Sequence, residues 1–281
     1  MKNLAYYDGK YGEIEEVFVP FCDRSHFFGD GIYDASYSRN YKIFALSEHL
    51  DRFYSSAKLS KITLPYTKEE MTNLIYKMLN LMDEDENFVY IQATRAPSKI
   101  RTHSFPESQY AARIWINIFG KKITDLSEKV KLITANDTRY LYCNIKTINL
   151  FPAVLASQTA KENDAFETVF HRNGLVTECA HSNIHIIKNN RLISAPQGES
   201  TLPGITRNHL ISASHRLNIP VEERQFTLKE LFSSDEVLIT SAGVLGIGVC
   251  EIDGVMVGGK AEDILRKLQN ELLLDFFNET S

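Results

Sequence analysis

The sequence predicts an α/β protein of two domains, on three observations. Residues 88–94 and 111–118 are runs rich in β-branched and aromatic side chains, long enough for strands and too short for helices. Met71, Leu74, Ile75, Met78 and Leu79 recur at the spacing that lines one face of a helix. Residues 120–127, with the polar Thr124-Asp125-Leu126-Ser127, interrupt both patterns and read as a linker between a domain over 1–119 and a second over 128–281.

A chain of 281 residues that is 43% hydrophobic and 24% charged can bury a sizeable core. Its net charge of -5 and its lack of a lysine or arginine run argue against nucleic acid and anionic membranes as partners, and leave small molecules. The first residues lack the apolar run of a signal peptide, and no stretch reaches the roughly 18 apolar residues that span a bilayer, so the expected location is the cytoplasm. Cys22, Cys143, Cys179 and Cys250 form no C-x-x-C pair, which fits reduced thiols. His181 and His185 stand four apart in a strand-like run rather than on a helix, so no metal site is expected.

Taken in order, residues 17–19 and 32–37 read as strands on either side of the turn Phe28-Gly29-Asp30-Gly31, and 42–45 as the next. Ser47 is the expected N-cap of a helix that turns Leu50, Phe53, Tyr54 and Ala57 inward. Arg52, about 150° away around that helix, is then expected in solvent. Thr67-Lys68-Glu69-Glu70 has the pattern of a capping box for a further helix, which a charged turn over 83–87 closes. The strands 88–94 and 111–118 flank a loop containing Arg101-Thr102-His103-Ser104-Phe105-Pro106, too long for a tight hairpin and expected to reach outward to a ligand or a partner. In the second half, 131–134, 166–170, 175–177, 183–187, 191–193 and 236–240 read as strands. Asn173-Gly174 and Asp253-Gly254 mark hairpin turns, because both residues of each pair tolerate positive φ. Pro152 opens a helix over 153–158, another follows over 207–217, and the last covers 261–276.

Chemistry centres on Lys146, which stands between the strand 131–134 and the helix that Pro152 opens. Desolvation at such a crossing disfavours the ammonium form and leaves an amine able to attack a carbonyl. Leu202-Pro203-Gly204-Ile205-Thr206 leads into a helix, so amide donors and the positive end of the helix dipole suit a phosphate at Gly204 to Thr206. Ser241 and Ala242 follow the strand 236–240 as small residues whose backbone N–H groups can approach the same anion. Glu178 precedes the small Cys179-Ala180, and its carboxylate can accept a hydrogen bond from a ring nitrogen and keep that nitrogen protonated. Taken singly, each has a plainer reading: a surface lysine, a helix cap, a strand-end turn, a glutamate facing water. Together, a lysine that can form an imine, a carboxylate for a pyridine nitrogen and a helix terminus for a phosphate are the parts that a pyridoxal 5'-phosphate site needs.

Those residues also carry a resemblance. Phe28-Gly29-Asp30-Gly31-Ile32-Tyr33, Glu48-His49-Leu50-Asp51-Arg52, Cys143-Asn144-Ile145-Lys146-Thr147-Ile148-Asn149-Leu150, His171-Arg172-Asn173-Gly174 with Thr177-Glu178, Ser182-Asn183 and Pro203-Gly204-Ile205-Thr206-Arg207 occur in that order. The set resembles fold-type-IV pyridoxal-phosphate enzymes of the class IV aminotransferase family, and within it D-amino-acid transaminases. The resemblance implies a smaller N-terminal α/β domain, a larger C-terminal domain with a barrel-like mixed sheet, pyridoxal 5'-phosphate between them, and a homodimer. It implies that Lys146 carries the cofactor and moves the proton between Cα and C4′, that Glu178 holds the pyridine nitrogen, and that Arg52 holds the phosphate; the expected cofactor-binding residues are then Arg52, Lys146, Glu178, Leu202, Gly204, Ile205, Thr206, Ser241 and Ala242.

The activity so implied is a ping-pong transfer of an amino group between a D-amino acid, such as D-alanine or D-glutamate, and a 2-oxo acid, such as 2-oxoglutarate or pyruvate. Branched-chain L-amino-acid transaminases, R-selective amine transaminases and aminodeoxychorismate lyases resemble it in sharing Lys146 and Glu178. A silent homologue that only binds a phosphate ligand is the non-enzymatic alternative. The D-amino-acid reading rests on Arg101-Thr102-His103-Ser104-Phe105-Pro106-Glu107. In D-amino-acid transaminases the matching loop, R-x-H before F-P-E, reaches the partner subunit's site, where Arg101, His103 and Tyr33 would hold the substrate α-carboxylate. The chain departs from its relatives at Ala242, where a second hydroxyl is common, at His181, where a serine is common, and at Tyr37, where a lysine is.

Overall fold

The computed structural model describes residues 1–106 and 111–281; Glu107, the end of the loop match, lies outside them. The described residues divide into two units, one of residues 1–122, 145–149 and 279–281, the other of residues 123–144 and 150–278. Residues 145–149, expected in the C-terminal domain, group with the first unit because their main chain is bonded there. The Tyr33 N–H donates to the Lys146 carbonyl at 2.8 Å, and the Ile148 N–H to the Gly31 carbonyl at 3.1 Å.

In the first unit β1 (Asn3–Tyr7), β2 (Lys10–Glu13), α1 (Arg24–Phe28), β3 (Gly31–Arg39), β4 (Lys42–Ile43), α2 (Leu46–Leu59), α3 (Lys68–Leu79), β5 (Asn87–Thr94) and β6 (Arg113–Gly120) follow one another. The strands pair antiparallel in the order β2-β1-β6-β5-β3-β4. Along β6, Ile114, Ile116 and Ile118 are buried and alternate with partly exposed residues, the period of a half-buried strand. They cluster with Leu50, Phe53 and Ala57 of α2 and with Met71, Ile75 and Met78 of α3. The Thr67 capping box forms, with both of its hydrogen bonds.

Three local expectations need correction. Residues 17–19 form no strand; Phe18 is 81% exposed, and Pro20 has no N–H to offer a ladder. α2 starts at Leu46 behind Ala45 in the left-handed conformation, so Ser47 lies inside the first turn instead of capping it. Arg52 is not in solvent, its side chain being 10% exposed. His49, Arg52 and Ser56, spaced i, i+3 and i+7, make a polar stripe beside the apolar one and widen the buried arc of α2. The stripe meets Asp34 of β3 through His49 and Arg52, and the Lys146 N–H through Ser56 Oγ.

The second unit holds β7 (Lys129–Asn136), α4 (Phe151–Glu162), β8 (Glu167–Arg172), β9 (Leu175–Cys179), β10 (Asn183–Lys188), β11 (Arg191–Ser194), α5 (Ile205–Arg216), β12 (Val221–Glu223), α6 (Leu228–Phe232), β13 (Glu236–Thr240), β14 (Ile247–Ile252), β15 (Val255–Met256) and most of α7 (Glu262–Glu279). Its sheet runs β12-β11-β10-β13-β14-β7-β8-β9, with β15 on β14, and is mixed: β11/β12, β14/β7 and β7/β8 are parallel. β9 and β10 lie five places apart in that order, a span of about 24 Å in a flat sheet at roughly 4.8 Å per strand. Only residues 180–182 join them, and so short a link reaches about 14 Å at most. The sheet therefore curls back on itself into the barrel-like form expected, and the Cys179 N–H donates to the Ser182 carbonyl across the link at 2.7 Å. Both hairpin turns form with positive φ, 51° and 78° at Asn173 and Gly174, 50° and 76° at Asp253 and Gly254. Among the described residues no helix is long and apolar enough to cross a membrane, and the four cysteines are free.

Candidate active site

Lys146 is seated by main chain rather than by its own side chain. Besides the bonds to Gly31 and Tyr33, Thr147 bridges Ile32, and Asn149 Nδ2 donates to the Gly29 carbonyl at 2.7 Å. That approach needs glycines. A Cβ on Gly29 would stand 2.9 Å from Asn149 Oδ1, and one on Gly31 2.7 Å from the Ala93 carbonyl oxygen and 2.9 Å from Ile148 Cδ1. The Phe28-Gly29-Asp30-Gly31 motif is thus the socket of the lysine segment. From it the Lys146 Nζ lies over the Tyr33 ring, 4.3 Å from the centroid, and Tyr33 stacks in turn on Tyr90 at 5.5 Å.

Beside this seat, Asp34 is fully buried and receives Arg52 Nε at 2.9 Å, Arg52 Nη2 at 2.7 Å and His49 Nδ1 at 2.8 Å. Burial alone would raise the Asp34 pKa; the Arg52 and His49 contacts outweigh it and hold the carboxyl well below the usual range. His49 is pushed down, by burial first and then by the Arg52 and Lys146 charges against the pull of Asp34. Its Nε2 is buried and has no hydrogen-bond partner among the described residues.

The loop after β5 brings Arg101 and His103 together on one ring. The Arg101 guanidinium lies 4.9 Å from the Phe28 centroid, and the His103 ring 5.2 Å from it, with both residues otherwise exposed.

In the second unit Glu178 ends in a dense polar cluster. Arg139 Nη1 donates to Oε1, while Asn183 Nδ2 and the Leu202 N–H donate to Oε2, each at 3.0 Å. Arg139 also grips Asp137, whose side chain is out of solvent, with Nε and Nη2 each at 2.9 Å, and Arg172 Nε reaches the same acid at 3.1 Å. Burial would depress the Arg139 pKa, but the two carboxylates raise it above its ordinary value, so this guanidinium is a permanent charge. Asp137 is held low for the complementary reason, Arg139 and Arg172 outweighing its burial.

Asn183 ties this cluster to the start of α5. Gly204 is the N-cap, and a Cβ there would stand 1.9 Å from Asn183 Oδ1, so only glycine lets the helix end come so close. Ile205 and Thr206 open the helix and are buried. Asn183 also pairs in register with Thr240, and Ser241 and Ala242 follow directly on β13. Leu202, expected among the cofactor-binding residues, donates its N–H to Glu178 and accepts from Asn183 Nδ2 at its carbonyl. His181 is half exposed, and its Nδ1 lies 3.3 Å from Oε2 of the fully buried Glu167. His185 is far from a metal ligand in character: its ring nitrogens lie 3.0 Å from Ser194 Oγ and 2.9 Å from Thr240 Oγ1, and burial, with the Arg207 charge, pushes its pKa down to about 3.

Sequence reasoning missed Asp34, His49, Asp137 and Arg139 as working residues. Asp137-Thr138-Arg139 right after a strand was the available signal for the last two, since an acid and an arginine two apart can share one turn.

A family model described as Amino-transferase class IV matches residues 31–252. A D-alanine aminotransferase of Staphylococcus haemolyticus is 34% identical over 268 residues, 94% of this chain and 95% of the relative. Another, of Listeria monocytogenes serotype 4b, is 36% identical over 261 residues, 91% of this chain and 90% of that one. Among solved structures, the branched-chain amino acid aminotransferase from Escherichia coli superposes with a TM-score of 0.89 over 100% of this chain and 96% of that one at 19% identity, a likeness of fold. A second branched-chain amino acid aminotransferase, solved with pyridoxamine 5'-phosphate, gives 0.88 at 20% identity over 99% of this chain and 95% of that one. With the curled mixed sheet, the seated lysine and a family match over most of its length, the chain belongs to the class IV aminotransferases.

Proposed function

We propose that this aminotransferase moves amino groups between D-amino acids and 2-oxo acids. Its cofactor is pyridoxal 5'-phosphate, as befits the family. The residues present fit that group: an amine on Lys146, a carboxylate on Glu178, amide donors at the start of α5 beside Ser241 and Ala242, and a buried nitrogen on His49 with no partner among the described residues. When bound, the cofactor supplies an electron sink for the pair left at the substrate Cα. The chain's own residues do the rest. Lys146 would take the proton from the substrate Cα and deliver it to C4′, from a main-chain seat that fixes where its amine can go. Glu178, oriented by Arg139, Asn183 and the Leu202 N–H, holds a proton at the pyridine nitrogen. Gly204, Ile205 and Thr206 would bind phosphate through amides, and the role proposed for Arg52 is to add charge to that phosphate.

The observation that carries the D-amino-acid reading is the pair Arg101 and His103, set side by side on Phe28 as two donors for an α-carboxylate, with the Tyr33 hydroxyl as the third. Curated relatives at 34% and 36% identity that bear the name D-alanine aminotransferase support it. We further read the enzyme as a cytoplasmic homodimer in which the 101–103 loop serves the partner's site. The test is a panel of D- and L-amino acids with 2-oxoglutarate, using Lys146→Ala as the blank. D-alanine and D-glutamate should turn over faster than any L-amino acid, and the blank should show no transfer. Faster turnover of L-leucine or L-valine would move the chain to the branched-chain reading.

A further inference from the structure

The roles given to Arg101 and His103 raise the question of what holds two exposed side chains in place on a loop without regular structure. A long side chain that samples many rotamers loses that freedom on binding, and an unheld arginine anchors a carboxylate weakly. Phe28 meets that need. Its ring carries the Arg101 guanidinium at 4.9 Å, the His103 ring at 5.2 Å and the Arg24 guanidinium at 4.6 Å from the centroid. Phe28 ends α1, and the next residue, Gly29, is left-handed at φ 58° and abuts Asn149, so the backbone that presents the ring is fixed.

Arg24 fixes the loop backbone as well. Its side chain is 3% exposed, and its Nη1 donates to the Thr102 carbonyl at 2.9 Å and the Ser104 carbonyl at 3.4 Å, its Nη2 to the His103 carbonyl at 3.5 Å. Its Nε donates to Asp30 at 2.7 Å, and Asp30 also takes Arg95 Nε at 2.9 Å. The Arg95 guanidinium lies 3.6 Å from the Phe105 ring centroid, so both ends of the stretch 101–105 are tied to the same partly buried acid. An aromatic face attracts a guanidinium without consuming its hydrogen-bond donors, which leaves the Arg101 fork available to a carboxylate.

We propose that Phe28 is a positioning residue for substrate binding, the aromatic platform on which Arg101 and His103 are held ready for the α-carboxylate while Arg24 clamps the backbone between them. The inference rests on the D-amino-acid reading. Phe28→Leu removes the aromatic face, and Phe28→Tyr keeps it. Phe28→Leu should raise the KM for D-alanine about tenfold while kcat stays within about twofold, since positioning acts on binding. Phe28→Tyr should stay near wild type in both. The second readout is independent of activity and cofactor: the His103 ring C–H proton resonances, identified by their absence in His103→Gln, should shift in Phe28→Leu as the ring current is lost, and stay in place in Phe28→Tyr. Should Phe28→Leu fail to fold, Phe28→Met fills the same volume and takes both measurements. A KM within twofold of wild type in the aliphatic variant, equal effects of the aliphatic and tyrosine variants, or unmoved His103 resonances would each overturn the platform. Failure of the D-amino-acid reading is distinct, being read on the wild type alone as a preference for L-substrates.

Discussion

Each unit contains an aspartate whose side chain is out of solvent and gripped by arginine, yet the two clusters are built to different ends. Asp34 is a terminus: Arg52 and His49 come to it from one helix, and the Ala35 N–H adds a third donor from its own strand. Asp137 is a relay. It is shared by Arg139 and Arg172, and Arg139 passes beyond it to Glu178, itself nearly buried at 6% exposure. A buried acid with its own arginine fixes a helix against a sheet, whereas an arginine held by one acid can orient a second. That difference explains why the proposed partner of the pyridine nitrogen is Glu178 and not either aspartate.

The contrast can be broken most severely at Arg139. Arg139→Met should destabilise the protein by about 3–5 kcal/mol, because it strands Asp137 and Glu178 together in a buried setting, and urea unfolding measures it. A loss below about 1 kcal/mol would mean the cluster is solvated rather than a relay. Next in size, Glu178→Gln should slow kcat about a hundredfold while cofactor stays bound, since the amide cannot hold a proton at the ring nitrogen. Near-normal kcat in that variant would remove Glu178 from the mechanism.

Arg52→Ala sharpens the other side. If Arg52 holds the phosphate as proposed, the variant should lower cofactor affinity by roughly tenfold to a hundredfold, the worth of a charged hydrogen bond, as read by titration. It should also change the pH dependence of stability in one direction. The folded pKa of Asp34 lies below its ordinary 3.8, so its stabilisation is present above that value and is lost as pH falls through the folded one. Without Arg52 the folded pKa rises towards the ordinary value or beyond, so the gap between wild type and variant should be widest at neutral pH and narrow below about pH 4. A gap independent of pH would show that Arg52 acts through packing alone.

Local chemistry was legible in the sequence, and long-range pairing was not. The Thr67 capping box and the Asn173-Gly174 turn are specified by adjacent residues, and both form. The barrel-like mixed sheet was expected from the family resemblance alone and its strand order was not expected at all, since period-two patterns say nothing of which strand neighbours which. Helical periodicity misplaced Arg52 because a hydrophobic stripe marks only the apolar part of a buried arc; the polar stripe beside it becomes visible once Asp34 of β3 is known to face it. Arg139 and Glu178 are 39 residues apart, and nothing local to either announces the other. Lys146 was picked out by its place between a strand and a helix, but its attachment to β3 depends on Gly29 and Gly31, more than a hundred residues earlier.

That attachment has a bearing on grafting. The lysine is addressed by the strand it is stitched to rather than by the segments that flank residues 145–149, which on both sides belong to the other unit. The smallest portable piece of this chemistry is therefore a pair of peptides, residues 29–33 and 145–149, with the close contacts at Gly29 and Gly31 as the registration marks. A scaffold that offers an edge strand with glycine at those positions could accept the lysine peptide as a separate chain, and the lengths of the connections on either side become free variables for a designer.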